Sequence, residues 1–352
     1  MKKFIIKSSF YFVPFVVLLL IYRYLIIPNI SGDIGMLAQI TFGQEYDNYL
    51  SQNYLQEVWV MDTLVHKAQK LQINPKPKVI TMGDSFSLKE QQKIFRYSNY
   101  LSYFSNTNVV NIITPYWASP IQQFICLINS EIIDSTTCDV LILESVDREF
   151  VARLVGLNFD KKFKEFTPPK IRKNNNNNNN NNFNLYNFCS YLRLRVGYKH
   201  PILEYKLVKD CFTHEWNNWA YCYKEDLYFQ KKINPESIKL AKQNLHKLNN
   251  LFAEKGLNVI ILVCADKYDL YRPFMTDNTL PVDTLHDSLF AVPNIHIINT
   301  KPMLQAMVSS GEKDVYLIND THWSYKASEA VAKKLARDID SLGLKSVLLR
   351  KF

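Results

Sequence analysis

Two short segments far apart in the chain carry residue types that together can perform nucleophilic catalysis. Gly83-Asp84-Ser85 directly follows an apolar run, and Asp320-Thr321-His322 lies near the other end of the sequence. A serine hydroxyl is a weak nucleophile until a base takes its proton, and a third group must hold that base in one tautomer. We therefore predict Ser85 as nucleophile, His322 as general base and Asp320 as the residue that orients the histidine.

The Gly-Asp-Ser segment has the composition of a tight turn between a strand and a helix. Gly83 permits a sharp turn, and the carboxylate of Asp84 can bind backbone amides and fix the loop. Backbone N–H groups at a helix start suit an oxyanion, so the N–H of Ser85 is the predicted first donor, with Asp84 assisting the orientation of the site. An ordinary turn with a helix N-cap is the alternative.

The second segment can place an acid beside the histidine. Residues two apart in an extended segment point the same way, so the carboxylate of Asp320 can bind one ring nitrogen of His322 while the other faces Ser85. A helix N-cap with a structural histidine is the alternative. The next residue, Trp323, is either a platform for a sugar or acyl group or a packing residue.

Charged residues also follow the predicted strand Asp139–Leu143. Glu144 and Arg148 come at its carboxyl end, where the active face of a parallel sheet lies. We predict that one or both orient the substrate, and a peripheral ion pair is the alternative.

Strands and helices alternate along most of the chain, which predicts an α/β fold with a doubly wound parallel sheet. The predicted strands are short, apolar and rich in β-branched residues, as expected for strands covered on both faces. They are Lys78–Met82, Val109–Ile113, Val140–Leu143, Val259–Val263 and Ile295–Ile298. The predicted helices are Leu88–Tyr100, Ile121–Ile133, Ile238–Lys255 and Tyr325–Leu342.

An insertion interrupts this alternation over about residues 151–235. It contains the run Asn174–Asn182, which has no apolar residue to bury and is predicted to be disordered. Aromatic residues follow that run, and they either line a sugar groove or pack the insertion onto the core. They are Trp216, Trp219, Tyr221, Tyr223, Tyr228 and Phe229.

The amino terminus predicts a membrane anchor. Lys2 and Lys3 precede a largely apolar stretch from Phe4 to Ile27, which is long enough to span a bilayer and has its basic flank on the cytoplasmic side. We predict an uncleaved transmembrane signal anchor over residues 1–28 and a connecting segment over 29–75, with a cleaved signal peptide as the alternative. The domain over 76–352 is then extracytoplasmic, in the periplasm or at the cell surface.

Charge and cysteine content limit the partners and cofactors that the chain is expected to bind. The net charge is +9, but the lysines are scattered rather than clustered, so nucleic acid is not a predicted partner. The six cysteines include no CxxC pair, so neither a zinc site nor a thioredoxin-like site is indicated, and no cofactor is predicted. Cys211 and Cys222 flank a short aromatic segment, and their pairing in a disulfide is left open.

The strand followed by Gly83-Asp84-Ser85 and the late Asp320-Thr321-His322-Trp323 resemble the SGNH hydrolase superfamily. Within it they resemble the branch of alginate O-acetylation proteins and the related DHHW proteins, over roughly Lys76–Leu342 without the insertion. Two regions depart from the family pattern: Thr114-Pro115-Tyr116-Trp117 and Glu144-Ser145-Val146 stand where the usual glycine and asparagine oxyanion donors are expected. Many members also carry the acid three residues before the histidine, where this chain has Asn319.

The resemblance implies a flavodoxin-like three-layer α/β/α sandwich with a Ser85–His322–Asp320 triad. It also implies an O-acyltransferase that acetylates a cell-surface polysaccharide through an acyl-serine, with a membrane-bound O-acyltransferase as a candidate partner that supplies the acyl group. A carbohydrate esterase with the same triad is the second hypothesis. A catalytically silent glycan-binding or scaffold protein is the third.

Overall fold

The structure, a computed structural model, describes residues 2–21, 59–61, 78–87, 95–113, 119–162, 202–213, 218–230, 232–282 and 286–342. The strands are β1 Trp59–Met61, β2 Val79–Gly83, β3 Val109–Ile113, β4 Val140–Val146, β5 Ile202–Lys206, β6 Trp219–Tyr223, β7 Val259–Cys264 and β8 His296–Asn299. The α-helices are α1 Lys2–Ile21, α2 Tyr97–Ser105, α3 Pro120–Asn129, α4 Asp147–Val155, α5 Lys224–Gln230, α6 Pro235–Glu254, α7 Lys267–Tyr271, α8 Lys301–Ser309 and α9 Tyr325–Ser341. The predicted Asn174–Asn182 run and most of the connecting segment 29–75 lie outside the described residues.

Six strands form one parallel sheet in the order β1-β3-β2-β4-β7-β8. Because all strands run the same way, their carboxyl ends share one edge, which is where α/β sheets place their sites. β2, which carries the Gly-Asp-Ser turn at its end, lies in the middle of the sheet between β3 and β4.

Helices cover both faces of the sheet, since alternate strand residues enter two separate hydrophobic clusters. On one face Val79 and Ile142 pack with residues of α2 and α9. On the other face Ile80 and Leu141 pack with residues of α3 and α6. The predicted α/β fold with a parallel sheet is confirmed, and its helices form a layer on each side of the sheet.

The bounds of several elements differ from the sequence prediction. Strand β4 continues three residues past Leu143, so Glu144 lies within the sheet and not in the loop after it. Helix α2 runs from Tyr97 to Ser105 and ends at Asn106, whose left-handed backbone (φ 47°) closes the helix.

The part of the insertion that the structure describes packs on the main core. β5 and β6 form an antiparallel hairpin, and Ala220, Tyr221 and Cys222 of β6 are buried in the same cluster as the sheet. Trp219 and Tyr223 are partly buried against it, whereas Tyr228 is exposed. Of the two alternatives for the aromatic residues, these contacts favour packing for Trp219, Tyr221 and Tyr223, and Trp216 lies outside the described residues.

The structure bears on the predicted membrane anchor and on the cysteine pairing that the sequence left open. Among the residues described here, no helix has the length and apolar character needed to cross a membrane, so the predicted anchor over residues 1–28 is not supported. Cys211 and Cys222 are both buried free thiols, so the structure contains no disulfide between them.

Candidate active site

Ser85 lies just past the carboxyl end of β2, in a single 3-10 turn over Ser85–Ser87. The N–H of Ser87 donates to the carbonyl of Asp84 at 3.0 Å and closes the turn. Asn111 of β3 donates its side-chain amide to the carbonyl of Ser87, and it accepts a 2.9 Å hydrogen bond from the hydroxyl of Thr81. Buried polar side chains of the sheet therefore hold the turn that presents Ser85.

Glu144 supports the same turn from the neighbouring strand. Its carboxyl is fully buried and accepts a 2.7 Å hydrogen bond from Ser87, whose hydroxyl also lies 3.2 Å from the hydroxyl of Tyr97. The Glu144 side chain crosses Gly83 so closely that a Cβ there would lie 2.3 Å from its Oε2. Gly83 is thus required because of this close approach.

Asp84 points away from solvent toward α4. Its carboxylate accepts a hydrogen bond from the backbone N–H of Val146 at 2.9 Å and forms a bidentate ion pair with the guanidinium of Arg153. These bonds tie the turn to the end of β4. Asp84 therefore fixes the loop by binding groups of β4 and α4.

His322 and Asp320 lie together on a loop that precedes α9. The Nδ1 atom of His322 is 2.5 Å from Oδ1 of Asp320, and the same oxygen accepts from the backbone N–H of His322 at 3.0 Å. Both side chains are partly exposed, at 14% and 19%. A carboxylate on Nδ1 holds the ring in the tautomer that directs Nε2 to a proton-transfer partner.

Phe86 joins the two loops. Its ring lies edge-on to the imidazole of His322 with 4.9 Å between centroids, and 4.4 Å from the ring of Trp323. Because Phe86 is the residue after Ser85, these contacts bring the Ser85 turn beside the His322 loop. The structure thus places all three predicted triad residues in one region at the carboxyl edge of the sheet.

Trp323 does not offer a platform for substrate. Its side chain is 0% exposed, donates its indole N–H to the carbonyl of Phe95 at 3.1 Å, and packs edge-on to Tyr97. The side chain is buried because it fills the space between the Ser85 turn and the start of α9. Packing is the alternative that the geometry favours.

Arg148 is likewise engaged within the protein. Its guanidinium donates to Asp266 at 2.6 Å and lies 3.7 Å from Asp226. Burial alone would lower the pKa of Arg148, but the two carboxylates outweigh burial and raise it. The arginine thus neutralises two buried acids, Asp266 just after β7 and Asp226 on α5, which is the ion-pair alternative in a largely buried form.

Carboxylate oxygens of Asp147, Asp266 and Asp269 lie within 4.8 Å of one another and are the group, among the described residues, whose spacing fits a metal ion. Both oxygens of Asp266 already accept hydrogen bonds from Arg148, from its backbone N–H and its guanidinium. Burial raises the pKa of Asp266 to about 6, and the arginine opposes that rise. The guanidinium of Arg148 thus already compensates part of the negative charge of these three aspartates.

Burial, with the nearby carboxylate of Asp84, raises the pKa of Glu144 from 4.5 to about 8. The folded protein therefore keeps this proton between about pH 4.5 and 8, whereas the unfolded chain releases it. Stability contributed by protonated Glu144 is complete below pH 4.5 and is lost as the pH rises toward 8, by at most about 1.4 kcal/mol per pH unit.

Replacing the acid with its neutral isostere should remove this dependence. We expect Glu144→Gln to flatten the decline in unfolding free energy between pH 5 and pH 8, because glutamine has no proton to release. The fold should be kept, because the amide oxygen can still accept from Ser87. Urea denaturation at both pH values measures the difference, and Glu254→Gln on the exposed end of α6 serves as control. A decline as steep in Glu144→Gln as in the parent would show that Glu144 does not carry this proton.

Three supporting residues were missed by the sequence analysis. Asn111 and Arg153 hold the Ser85 turn, and Lys267 binds the loop of His322 through three backbone carbonyls. A polar residue within the apolar strand Val109–Ile113 was the signal available for Asn111. Residues 114–118, where a second oxyanion donor was expected, lie outside the described residues.

A parallel sheet carries the Gly-Asp-Ser turn at the end of its strand β2, and an Asp–His pair lies on a loop beside that turn. This arrangement is consistent with the SGNH-like fold that the sequence resembles. The family described as SGNH hydrolase-like domain, acetyltransferase AlgX, matches residues 217–349. This match confirms the resemblance to that branch over less than half of the chain, and it includes Asp320 and His322 but not Ser85. No curated protein and no solved structure matches the chain.

Proposed function

We propose that this protein is a serine-dependent O-acyltransferase that acetylates hydroxyl groups of a cell-surface polysaccharide. The observation that carries the proposal is the 2.5 Å pairing of Asp320 with Nδ1 of His322, on a ring that packs against the residue after Ser85. The family match to an acetyltransferase-type domain over residues 217–349 supports the same reaction class.

The reaction would proceed in two acyl transfers. Nε2 of His322 takes the hydroxyl proton of Ser85 as its oxygen attacks the acyl carbonyl, and the proton then passes to the departing group of the donor. The donor leaves, and an acyl ester remains on Ser85. His322 next takes the proton of a sugar hydroxyl, whose oxygen attacks that ester, and Ser85 regains the proton.

Asp320 and the turn would contribute electrostatics and position. The carboxylate stabilises the imidazolium that forms when His322 accepts a proton. The backbone N–H of Ser85 remains the proposed first oxyanion donor, because the 3-10 turn begins at this residue. No cofactor enters the proposed reaction beyond the acyl donor itself.

Two other functions use the same framework. A carbohydrate esterase would let water, instead of a sugar hydroxyl, attack the acyl-serine, and the partly exposed dyad of Asp320 and His322 is compatible with this. A silent scaffold would bind glycan without turnover. The proposal also includes an extracytoplasmic place of action and a membrane-bound acyltransferase as the donor's source, and both rest on the resemblance to the alginate O-acetylation proteins.

One assay separates these functions. The purified full-length chain is incubated with 4-nitrophenyl acetate, with and without a mixture of neutral and acidic oligosaccharides, and products are read by mass spectrometry. We expect acetylated oligosaccharide and faster nitrophenol release when acceptor is present. Acetate release that acceptor does not change would favour the esterase, and no Ser85-dependent release would contradict both enzymatic functions.

A further inference from the structure

Lys267 is a buried cation that binds the loop carrying Asp320 and His322. It begins α7, with two residues between it and the end of β7, and is 1% exposed. Its ammonium donates to the backbone carbonyls of Leu317 at 2.6 Å, Ile318 at 2.8 Å and Asp320 at 3.0 Å. An ammonium has three N–H donors, so these acceptors match its full capacity.

These bonds need a positive charge. Carbonyl oxygens that converge on one point repel each other unless a cation or several donors lie between them. Burying an ammonium is also costly unless it is fully hydrogen-bonded, and backbone carbonyls of a loop have few other partners within a core. The lysine and the loop therefore stabilise each other only in this arrangement.

The loop's remaining bonds lead from Lys267 to the histidine. The N–H of Asp320 donates to the carbonyl of Leu317 at 3.4 Å, and the N–H of Leu317 donates to the carbonyl of His322 at 3.1 Å. Asp320, one of the three residues whose carbonyls bind the ammonium, is also the residue whose carboxylate holds His322. A shift of this carbonyl would move the acid and the imidazole together.

We propose that Lys267 is a positioning residue for the catalytic base. This role rests on the proposed function. The ammonium holds the turn 317–320 against the end of β7, so that the Asp320–His322 pair keeps its geometry relative to the sheet that carries Ser85. Lys267 itself touches no reacting atom.

Lys267→Met tests this role, because methionine has a similar length and removes the charge and all three donors. We expect kcat for acetyl ester turnover to fall about 100-fold, as a displacement near 1 Å can cause. KM should change less than twofold, since the side chain does not contact substrate. Lys267→Arg restores a cation with several N–H donors and should regain part of the loss.

A lysine that binds one carbonyl elsewhere provides the matched control. Lys209 donates its ammonium to the carbonyl of Val308 at the end of α8 and lies over the ring of Phe274. Lys209→Met should leave kcat unchanged even where it lowers stability. An equal loss of kcat in both variants would assign the Lys267 effect to general destabilisation and overturn the proposal.

A proton NMR signal separates positioning from stability. The low-field Nδ1 proton of the His322–Asp320 hydrogen bond should shift or broaden in Lys267→Met and stay in place in Lys209→Met. An unchanged signal or an unchanged kcat in Lys267→Met overturns the positioning role. Because this signal does not require turnover, it decides the inference even if the parent protein shows no acyl transfer and the proposed function fails.

The parent protein supplies a measurement that needs no variant, should Lys267→Met fail to fold. In full-length protein labelled with 15N-lysine, the Lys267 ammonium protons should exchange slowly with water and couple to the carbonyl carbons of Leu317, Ile318 and Asp320. Exchange as fast as that of exposed lysines such as Lys224 would show that the ammonium is not bound to the loop and would overturn the inference.

Discussion

Ser85→Ala and His322→Ala should each lower turnover of an acetyl ester by about 10⁴-fold or more, because residues that act as one catalytic unit fail together when either is removed. The double variant should be no worse than either single variant, for the same reason. Steady-state kcat/KM for the parent and the three variants measures this. The partial exposure of both positions predicts that all three variants fold and melt near the parent temperature.

The identity of the acid can be tested on the same loop. Asp320→Asn should cost activity comparable to or smaller than the loss in His322→Ala, because the imidazole remains but loses the partner 2.5 Å from its Nδ1. Asn319→Ala is the control, since many members of the superfamily that the sequence resembles carry the acid three residues before the histidine. A larger activity loss in Asn319→Ala than in Asp320→Asn would show that the roles are assigned wrongly.

A chemical probe reports on the nucleophile independently of turnover. A fluorophosphonate should label Ser85 in the parent, as read by peptide mass spectrometry, and the label should be absent in Ser85→Ala. Labelling should also be strongly reduced in His322→Ala, because the hydroxyl then lacks its base. Full activity in Ser85→Ala, or equal labelling with and without His322, would contradict the assignment of Ser85 as the nucleophile.

Much of the fold could be predicted because the sheet is covered on both faces. Val259–Cys264 reads as a continuous apolar run, and Val109–Ile113 is apolar except for Asn111, so the pattern located both strands within a residue or two. β1 was missed because three residues are too few to show a periodic pattern. The hairpin of β5 and β6 was missed because its strands mix polar and apolar residues and carry little periodic signal. The end of β4 was missed because Glu144 looks like a loop residue until its burial under the Ser85 turn is known.

Part of the candidate site could likewise be predicted from the sequence, and part could not. Residue type and spacing were enough to propose Ser85, Asp320 and His322, and in the structure Phe86 brings the Ser85 turn against the loop of His322. Long-range contacts decide the rest: Trp323 and Glu144 have the chemistry of substrate-binding residues, yet tertiary packing buries both. Lys267 was overlooked because a single lysine after a strand looks like a solvated charge until its three carbonyl acceptors are located.

Gly83→Ala should destabilise the protein severely, since the new Cβ would lie 2.3 Å from Oε2 and 2.5 Å from Cβ of Glu144. The second atom belongs to a strand that pairs with β2, so the clash cannot be relieved by rotating a flexible side chain. Overpacking of this kind costs about 1–3 kcal/mol and occasionally more. We expect about 3 kcal/mol or more by urea denaturation, and a melting temperature lower by roughly 10 °C.

Gly156→Ala is the matched control, because a Cβ at Gly156 meets its nearest neighbour, the carbonyl of Ala152, at 3.4 Å, and its φ of −84° suits alanine. It should change the unfolding free energy by less than about 1 kcal/mol. In a double-mutant cycle, Glu144→Gly should offset part of the Gly83→Ala loss, since it removes the three atoms nearest to the new Cβ. Glu144→Ala should offset less, because its Cβ remains. A Gly83→Ala variant that melts with the parent and keeps its activity would mean that β2 and β4 leave room above Gly83, and that Glu144 does not support the turn of Ser85.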